Sequence, residues 1–324
     1  MRAYYLLPGT DRLGLEARDV PVPEAGPQQL LVRLRAAGLN RGELATGAGG
    51  KPKPGGMEGA GEVVKAGPGV TRFKPGDRVM ARCPGAFAEY GLMDVRETLP
   101  VPQRLSWEQA AAVPIAFLVV YDMLLAQGRL KAGEWVLVTG VTSGVGVYAL
   151  QAARALGAKV IGTSGSAEKL GQLKALGLDV ALATRAGDFS AAVLQATGGK
   201  GADLCVNTVG GTVFAECVRS LGFEGRLAIV GYVDGSLKAE MDLDALHSRR
   251  LTIFGVSNKM RNADQRGATV RGFEASLLPL LADGRVEPLI DRVYAFDELP
   301  AAKARMEANA HVGKIVVKIG TDPN

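Results

Sequence analysis

The stretch Trp135-Val-Leu-Val-Thr-Gly-Val-Thr-Ser-Gly-Val-Gly146 decides the fold. Its first five residues are apolar or β-branched and stop at a glycine, the pattern of a short buried strand. From 145 to 156 the apolar residues follow helical spacing, and Gly157 stands where a helix would end on a left-handed residue. A strand that turns through glycine into a helix leaves the first helical N–H groups without backbone partners and with partial positive charge. A pyrophosphate sits well on such groups, so 135–157 reads as a dinucleotide-binding unit. The strict G-x-G-x-x-G spacing is absent: aligned on Gly146, its first two glycines fall on Val141 and Ser143. The strand–turn–helix context carries the reading instead.

Working outward, further buried strands are expected at 159–162, Val180–Ala183, 204–208, 226–230 and 251–255, with helices such as 145–156 and 168–176 between them. Strands alternating with helices of this length imply an α/β fold with a doubly wound parallel sheet. The N-terminal part has another texture, with short extended runs separated by glycine and proline. In 29–36, Leu30, Val32, Leu34 and Ala36 face one way while Arg33 and Arg35 face the other. Further strands are expected at 62–65 and 78–81, set off by turns at Gly67-Pro-Gly69 and Lys74-Pro-Gly-Asp77. The tail holds a helix around 272–282 and a closing strand at 313–319, too little for a domain of its own. The expected organisation is one β-rich domain from 1–118 together with 257–324, interrupted by a nucleotide-binding domain at 119–256.

Bulk properties exclude several classes. Hydrophobic residues make up 47% and charged residues 22%, an ordinary globular balance that argues against disorder. The formal net charge of +5 is scattered rather than gathered into a basic run, so nucleic acid is not an expected partner. Cys83, Cys205 and Cys217 form no C-x-x-C pair, which fits a reducing cytoplasm and rules out a four-cysteine zinc site. The first residues lack the apolar core of a secretory signal, and the longest apolar run, 110–121, is too short to span a bilayer. A cytoplasmic protein without a membrane partner is expected.

Ligands of open parallel sheets bind at the carboxyl ends of the strands. That rule nominates Thr139, Gly140, Ser143, Gly144, Val145 and Gly146 after the first strand, and Asn207, Thr208 and Val209 after the fourth. Gly231 and Tyr232 follow the fifth, and Ser257 and Asn258 the sixth. The second strand bears on the choice of cofactor. NAD sites place an acidic residue there for the ribose 2′-hydroxyl. This chain has Gly162-Thr-Ser-Gly-Ser-Ala-Glu-Lys169 instead. Thr163, Ser164 and Ser166 offer hydroxyls, and Lys169 and Arg185 offer cations, a set suited to the 2′-phosphate of NADPH. The plainer reading of Lys169 is an exposed helix residue.

The chain resembles the zinc-free, zeta-crystallin-like quinone oxidoreductase branch of the medium-chain dehydrogenase/reductase superfamily. The resemblance covers nearly its whole length. It rests on Gly38-Leu-Asn-Arg-Gly-Glu43, Gly56-Met-Glu-Gly-Ala-Gly61, Phe73-Lys-Pro-Gly-Asp-Arg-Val79 and Pro114-Ile-Ala-Phe-Leu-Val-Val-Tyr-Asp122. The glycine turn, Asn207-Thr-Val-Gly-Gly211 and Val312-Gly-Lys-Ile-Val316 complete it. It implies a GroES-like β domain around a Rossmann domain, an active site in the cleft, and a homodimer formed through 251–256. Zinc-dependent relatives carry cysteine where this chain has Asn40 and histidine where it has Met57, so no catalytic metal is expected.

Without a Lewis acid, reduction of an electron-poor acceptor is the favoured chemistry, with hydride passing from nicotinamide to a quinone or an enone. By resemblance, Asn40 hydrogen-bonds the substrate or the nicotinamide ribose; its alternative is a turn cap. Tyr232 is a candidate proton donor or a plain apolar wall. An enone or enoyl-thioester reductase is the second expectation, and a catalytically silent NADPH-binding protein with an RNA-binding or structural role is the third. Two departures from the family stand out. Val119-Val120 replaces a Thr-Ala pair in the linking helix, and the segment after Glu43 is rich in glycine (Gly47, Gly49, Gly50, Gly55, Gly56) and has no tyrosine.

Overall fold

The computed structural model describes residues 1–9, 13–44 and 51–320. The chain forms two compact units, Met1–Leu118 with Asn262–Leu278 and Pro288–Asn324, and Val119–Arg261 with Pro279–Glu287.

The first unit is built on β1 (Arg2–Leu7), β2 (Gly14–Asp19), β3 (Gln29–Gly38), β4 (Lys53–Pro54), β5 (Glu58–Ala66), β6 (Arg78–Arg82), β7 (Tyr90–Asp94) and β8 (Thr98–Pro100). The two-residue rhythm of β3 is borne out in part: Leu30, Val32, Leu34 and Ala36 are buried and Arg33 is exposed, while Arg35 is half-buried and Leu31 is buried as well. Leu30, Val32 and Leu34 join a core with Val79, Met93, Ile315 and Val317.

The second unit carries β9 (Trp135–Thr139), β10 (Lys159–Ser164), β11 (Val180–Ala183), β12 (Ala202–Asn207), β13 (Leu221–Ile229) and β14 (Thr252–Gly255). They form one sheet in the order β11-β10-β9-β12-β13-β14. Every neighbouring pair in it is parallel. This is the doubly wound order with its switch point between β9 and β12, where a crevice opens at the strands' carboxyl ends. Helix Gly144–Ala155 ends as expected, with Gly157 at φ +84°.

The chain then returns to the first unit through β15 (Ile290–Ala295) and β16 (Lys314–Lys318). Strand β16 pairs antiparallel with β3, Val316 opposite Gly38. Two local expectations differ. The helix expected at 272–282 begins earlier, as Ala263–Ser276 followed by Leu278–Ala282. Asn262 starts it through a capping box with Gln265, while Gly267 and Gly272 thin the apolar periodicity on which the reading relied. Residues 257–261 and 279–287 fall in the second unit rather than the first. The latter segment is tied there by a reciprocal pair: Gln151 Nε2 donates to the Glu287 carbonyl at 2.9 Å, and the Glu287 N–H donates to Gln151 Oε1 at 2.9 Å. Among the described residues, no helix is long and apolar enough to cross a membrane.

Candidate functional site

The turn after β9 shows why an imperfect glycine motif suffices. Gly140 takes φ +64°, so the tight turn falls one residue before the position that Val141 occupies. A Cβ on Gly140 would stand 2.7 Å from Thr208 Oγ1. Ser143 caps the helix, its Oγ accepting from the Gly146 N–H at 3.1 Å. The first intrahelical bond runs from the Val147 N–H to the Ser143 carbonyl at 2.8 Å. The N–H groups of Gly144 and Val145 precede that bond, as helix geometry requires. Gly146 keeps the packing role of the motif's last glycine, because a Cβ there would meet the Gly140 carbonyl at 2.5 Å and the Val141 carbonyl at 2.7 Å.

The end of β10 packs beside this turn. The Val141 N–H donates to the Thr163 carbonyl at 3.0 Å, and the Thr142 and Ser164 hydroxyls lie 3.3 Å apart. Ser164 Oγ also accepts from the Ser166 N–H at 3.3 Å. Ser166 in turn caps helix Ala167–Leu173 by accepting from the Lys169 N–H at 3.3 Å. Arg185, one turn beyond β11, lays its side chain across Gly165, where any Cβ would collide with its Cγ and Nε. Thus Ser164, Ser166 and Arg185 gather at one strand end. Glu168 is exposed in the first turn of the following helix.

Across the switch point, Thr139 and Thr208 clip β9 to β12. Thr208 Oγ1 donates to the Thr139 carbonyl at 2.7 Å, and the Thr208 N–H donates to Thr139 Oγ1 at 3.1 Å. Asn207 is buried, and its amide is occupied by its own loop. Its Oδ1 accepts from the N–H groups of Val209 and Gly210, both at 3.0 Å, and its Nδ2 donates to the Gly210 carbonyl at 2.9 Å. Its side chain therefore shapes the loop, and half-buried Val209 presents it. After β13, Gly231 lies against the Thr208 carbonyl, and Tyr232 is 51% exposed. Ser257 and Asn258 engage their own turn, toward Lys259 and Arg261.

Asp234 ties the loop after β13 to the loop after β12. It accepts from the Thr212 N–H at 2.8 Å, the Thr212 hydroxyl at 2.5 Å and the Ser236 N–H at 2.8 Å. Partial burial opposes ionisation, but these donors outweigh it and hold the Asp234 carboxyl below the usual range.

Asn40 lies in the first unit, between β3 and the short helix Arg41–Leu44. Its Nδ2 donates to Glu58 Oε1 at 2.8 Å, and its Oδ1 accepts from Lys314 Nζ at 2.8 Å. Its backbone N–H donates to Glu43 Oε1 at 2.8 Å, half of a capping box. Lys314 Nζ also donates to the Leu39 carbonyl at 2.9 Å and to Glu58 Oε1 at 2.5 Å, which uses all three of its hydrogens. Glu58 Oε2 accepts from the Ile115 N–H at 2.6 Å. The turn-cap reading of Asn40 is seen here, and among the described residues one of its two amide hydrogens takes no part in these bonds.

A zinc ion does not fit these residues. The Asn40 amide is engaged with Glu58 and Lys314, and the Glu58 carboxylate already carries an ammonium. Among the described residues, no group of three or more His, Cys, Asp or Glu side chains is placed to hold a metal ion.

Sequence reasoning missed Thr142, Asp234, Glu43, Glu58 and Lys314 as functional positions. A signal existed for two of them, since Glu58 and Lys314 are charged residues standing just before the uncharged runs 59–61 and 315–317, where a buried charge must be paired. Gly47, Gly49 and Gly50 lie outside the described residues.

Two family models match the chain, "Alcohol dehydrogenase GroES-like domain" over 26–103 and "Zinc-binding dehydrogenase" over 144–269. A mycobacterial structure solved with NADPH superposes with TM-score 0.87 at 27% identity, covering 98% of this chain and 100% of that one. A Pseudomonas syringae quinone oxidoreductase gives TM-score 0.84 at 29% identity, covering 98% and 99%. An NAD-dependent alcohol dehydrogenase gives TM-score 0.83 at 31% identity, covering 99% and 100%. The curated relatives include polyketide synthase components. The chain is 39% identical over 196 residues to one from Streptomyces venezuelae and spans 5% of its length. Of a Mycobacterium tuberculosis phthiocerol synthase subunit it spans 14%, at 31% identity.

The chain belongs to the medium-chain dehydrogenase/reductase superfamily, a family of oxidoreductases. Within it, the chain sits with the quinone oxidoreductase-like branch.

Proposed function

We propose that this oxidoreductase is an NADPH-dependent reductase that delivers hydride to quinones. The observation that carries the cofactor preference is the end of β10, which has no acidic residue and over which Arg185 lies across Gly165 beside Ser164. A 2′-phosphate would find hydroxyls and cations there, where an NAD site offers a carboxylate. The mycobacterial neighbour solved with NADPH supports the preference, and the NAD-dependent neighbour is the alternative to beat.

The second unit fits a dinucleotide. Thr139, Gly140, Ser143, Gly144, Val145 and Gly146 would hold the pyrophosphate, using the N–H groups that precede the first helical bond. Thr163, Ser164, Ser166, Lys169 and Arg185 would hold the adenosine end. The loops of Asn207, Thr208, Val209, Gly231, Tyr232, Ser257 and Asn258 would line the nicotinamide end. When bound, the cofactor supplies hydride from its nicotinamide ring.

The chain's own residues then orient and protect the reaction. Asn207 keeps its loop rigid through four hydrogen bonds, one of them shared with the Thr139 hydroxyl. Asn40 has both amide ends anchored and offers its remaining N–H to an acceptor oxygen. Tyr232, 51% exposed, would be a second donor. A quinone is already electron-poor and needs no stronger electrophile.

Following NADPH absorbance against a quinone panel and an enone and enoyl-thioester panel tests the reading; no turnover of any quinone overturns it. The match to polyketide synthase components favours the enone or enoyl-thioester reading as the second choice. Retention on immobilised NADPH with no turnover of either panel would leave a silent binding protein. A homodimer through 251–256 goes with the proposal, since β14 is the outermost strand of its sheet. Sedimentation of a dimer-sized species checks it.

A further inference from the structure

The last residue of β6 is a cation for which the fold has no evident use. Arg82 stands directly opposite Glu58 in the β5–β6 ladder, so the two side chains leave the sheet on the same face. The alternation along β6 agrees, since Val79, Ala81 and Cys83 turn into the core and Arg82 therefore turns away from it. The backbone at this point is rigid. Just beyond Arg82, the Cys83 N–H donates to the Met57 carbonyl at 2.8 Å and the Gly85 N–H donates to the Gly56 carbonyl at 2.8 Å.

The face that Arg82 shares with Glu58 is the one on which Asn40 is fixed. Glu58 is already taken by Ile115, Asn40 and Lys314. Lys314 spends its hydrogens on Leu39, Asn40 and Glu58. Arg41, next to Asn40 in the chain, donates to the Met306 carbonyl at 2.8 Å and to Asn309 Oδ1 at 2.6 Å. Arg82 differs from both cations. It is half-buried, and among the described residues its guanidinium makes neither a hydrogen bond nor an ion pair. A guanidinium partly withdrawn from water gains most from an oxyanion, whose geometry matches its forked N–H groups.

We propose that Arg82 is a specificity-determining residue that reads a negative charge on the acceptor. The preferred substrate is then a quinone or enone that carries an oxyanion, a carboxylate or a phosphate, apart from its reducible carbonyl. The proposal rests on the reductase reading above, with Asn40 as donor to the carbonyl oxygen. Arg82 takes no part in hydride or proton transfer. It binds the charged group equally in the ground state and the transition state, so its contribution falls on KM rather than kcat. A neutral acceptor leaves the guanidinium as it stands, half-solvated and unpaired.

The test uses the full-length chain and matched acceptors. One pair is a benzoquinone with a short carboxyalkyl tail and its methyl ester. The other is an enoyl-CoA and the uncharged N-acetylcysteamine thioester of the same enoyl group. Wild type should show a KM about tenfold lower for the charged member, the size of one charge-assisted contact, with similar kcat. A preference in the first pair assigns the charge to a carboxylate, and one confined to the second assigns it to a phosphate. Arg82→Gln should erase the preference and Arg82→Lys should keep part of it. Arg33→Gln removes the same charge at the other end of β5, opposite Glu62, and should leave the preference whole. Binding is also read without turnover: the carboxyalkyl quinone or the enoyl-CoA, and not its neutral partner, should slow phenylglyoxal labelling of Arg82, located by peptide mass. A wild type that reduces neither member of either pair overturns the reductase reading, while the labelling still decides whether Arg82 holds an anion. A wild type that turns over charged and neutral members alike, or an Arg82→Gln chain that keeps the preference, overturns the charge reading alone. The labelling needs no variant, so it holds even if Arg82→Gln fails to fold.

Discussion

Lys314 Nζ stands 2.5 Å from Glu58 Oε1, and the two side chains are 5% and 0% exposed. A buried pair of this kind costs more to break than it contributes, because removing one partner strands the other charge. Lys314→Met should therefore destabilise the protein by about 3–5 kcal/mol. Lys314→Met combined with Glu58→Gln should recover much of the loss, since neither charge remains. Urea unfolding of the two variants checks this.

Arg185 and Gly165 make a second test. Arg185→Ala should weaken NADPH binding about tenfold and leave NADH unchanged, because one exposed charge-assisted contact is lost. Gly165→Ala should act in the same direction without touching a charge, by pushing the guanidinium off its seat. Fluorescence titration with both cofactors reads the outcome.

The glycine turn should tolerate substitution poorly at its packing position. In Gly146→Ala the new methyl meets the backbone carbonyls of Gly140 and Val141, which cannot rotate away. A loss of about 1–3 kcal/mol is expected from such overpacking, seen as a lowered Tm. Dinucleotide affinity should fall with it, since the same shift moves the N–H groups of Gly144 and Val145.

Stability should depend on pH through Glu43. Its folded carboxyl binds a proton more tightly than the unfolded one, at about 8 against 4.5. The native state therefore holds more protons between those values, and stability falls as pH rises across that window. The contribution is fully present below the unfolded value and gone above the folded one. Comparing urea midpoints at several pH values, Glu43→Gln should decline less than wild type, by a margin on the order of a few kcal/mol.

The cysteines should be silent. Cys83, Cys205 and Cys217 are all buried, and burial pushes the Cys83 thiol up to about 12 and the Cys205 thiol well above its usual value. A native sample should release no colour with a thiol reagent, and all three thiols should react once it unfolds.

Much of the fold was legible because its strands follow simple periodicity. Trp135–Thr139 and Val180–Ala183 fall on the expected residues, and the sheet order follows from alternation with helices. Strand β13 begins five residues earlier than expected, at Leu221, because Gly222, Glu224 and Gly225 break the apolar run that marks a buried strand. The turn was legible from context rather than spelling, since Gly140 and Ser143 share out work that the strict motif gives to other positions. The Asn40 cluster was not legible. Asn40, Glu43, Glu58 and Lys314 are drawn together by sheet pairing across more than 250 positions, β16 on β3 and β3 on β5, and no local pattern encodes such a meeting.

Arg185 reaches Gly165 from beyond β11, the edge strand of the parallel sheet opposite β14. The glycine turn after β9 and the seat of the arginine are thus carried by separate pieces of chain. On the proposed reading, anchoring a dinucleotide and choosing between its two forms are separately heritable properties. A lineage could exchange one electron carrier for the other by altering the margin of the sheet, while the central turn that every form requires stays untouched.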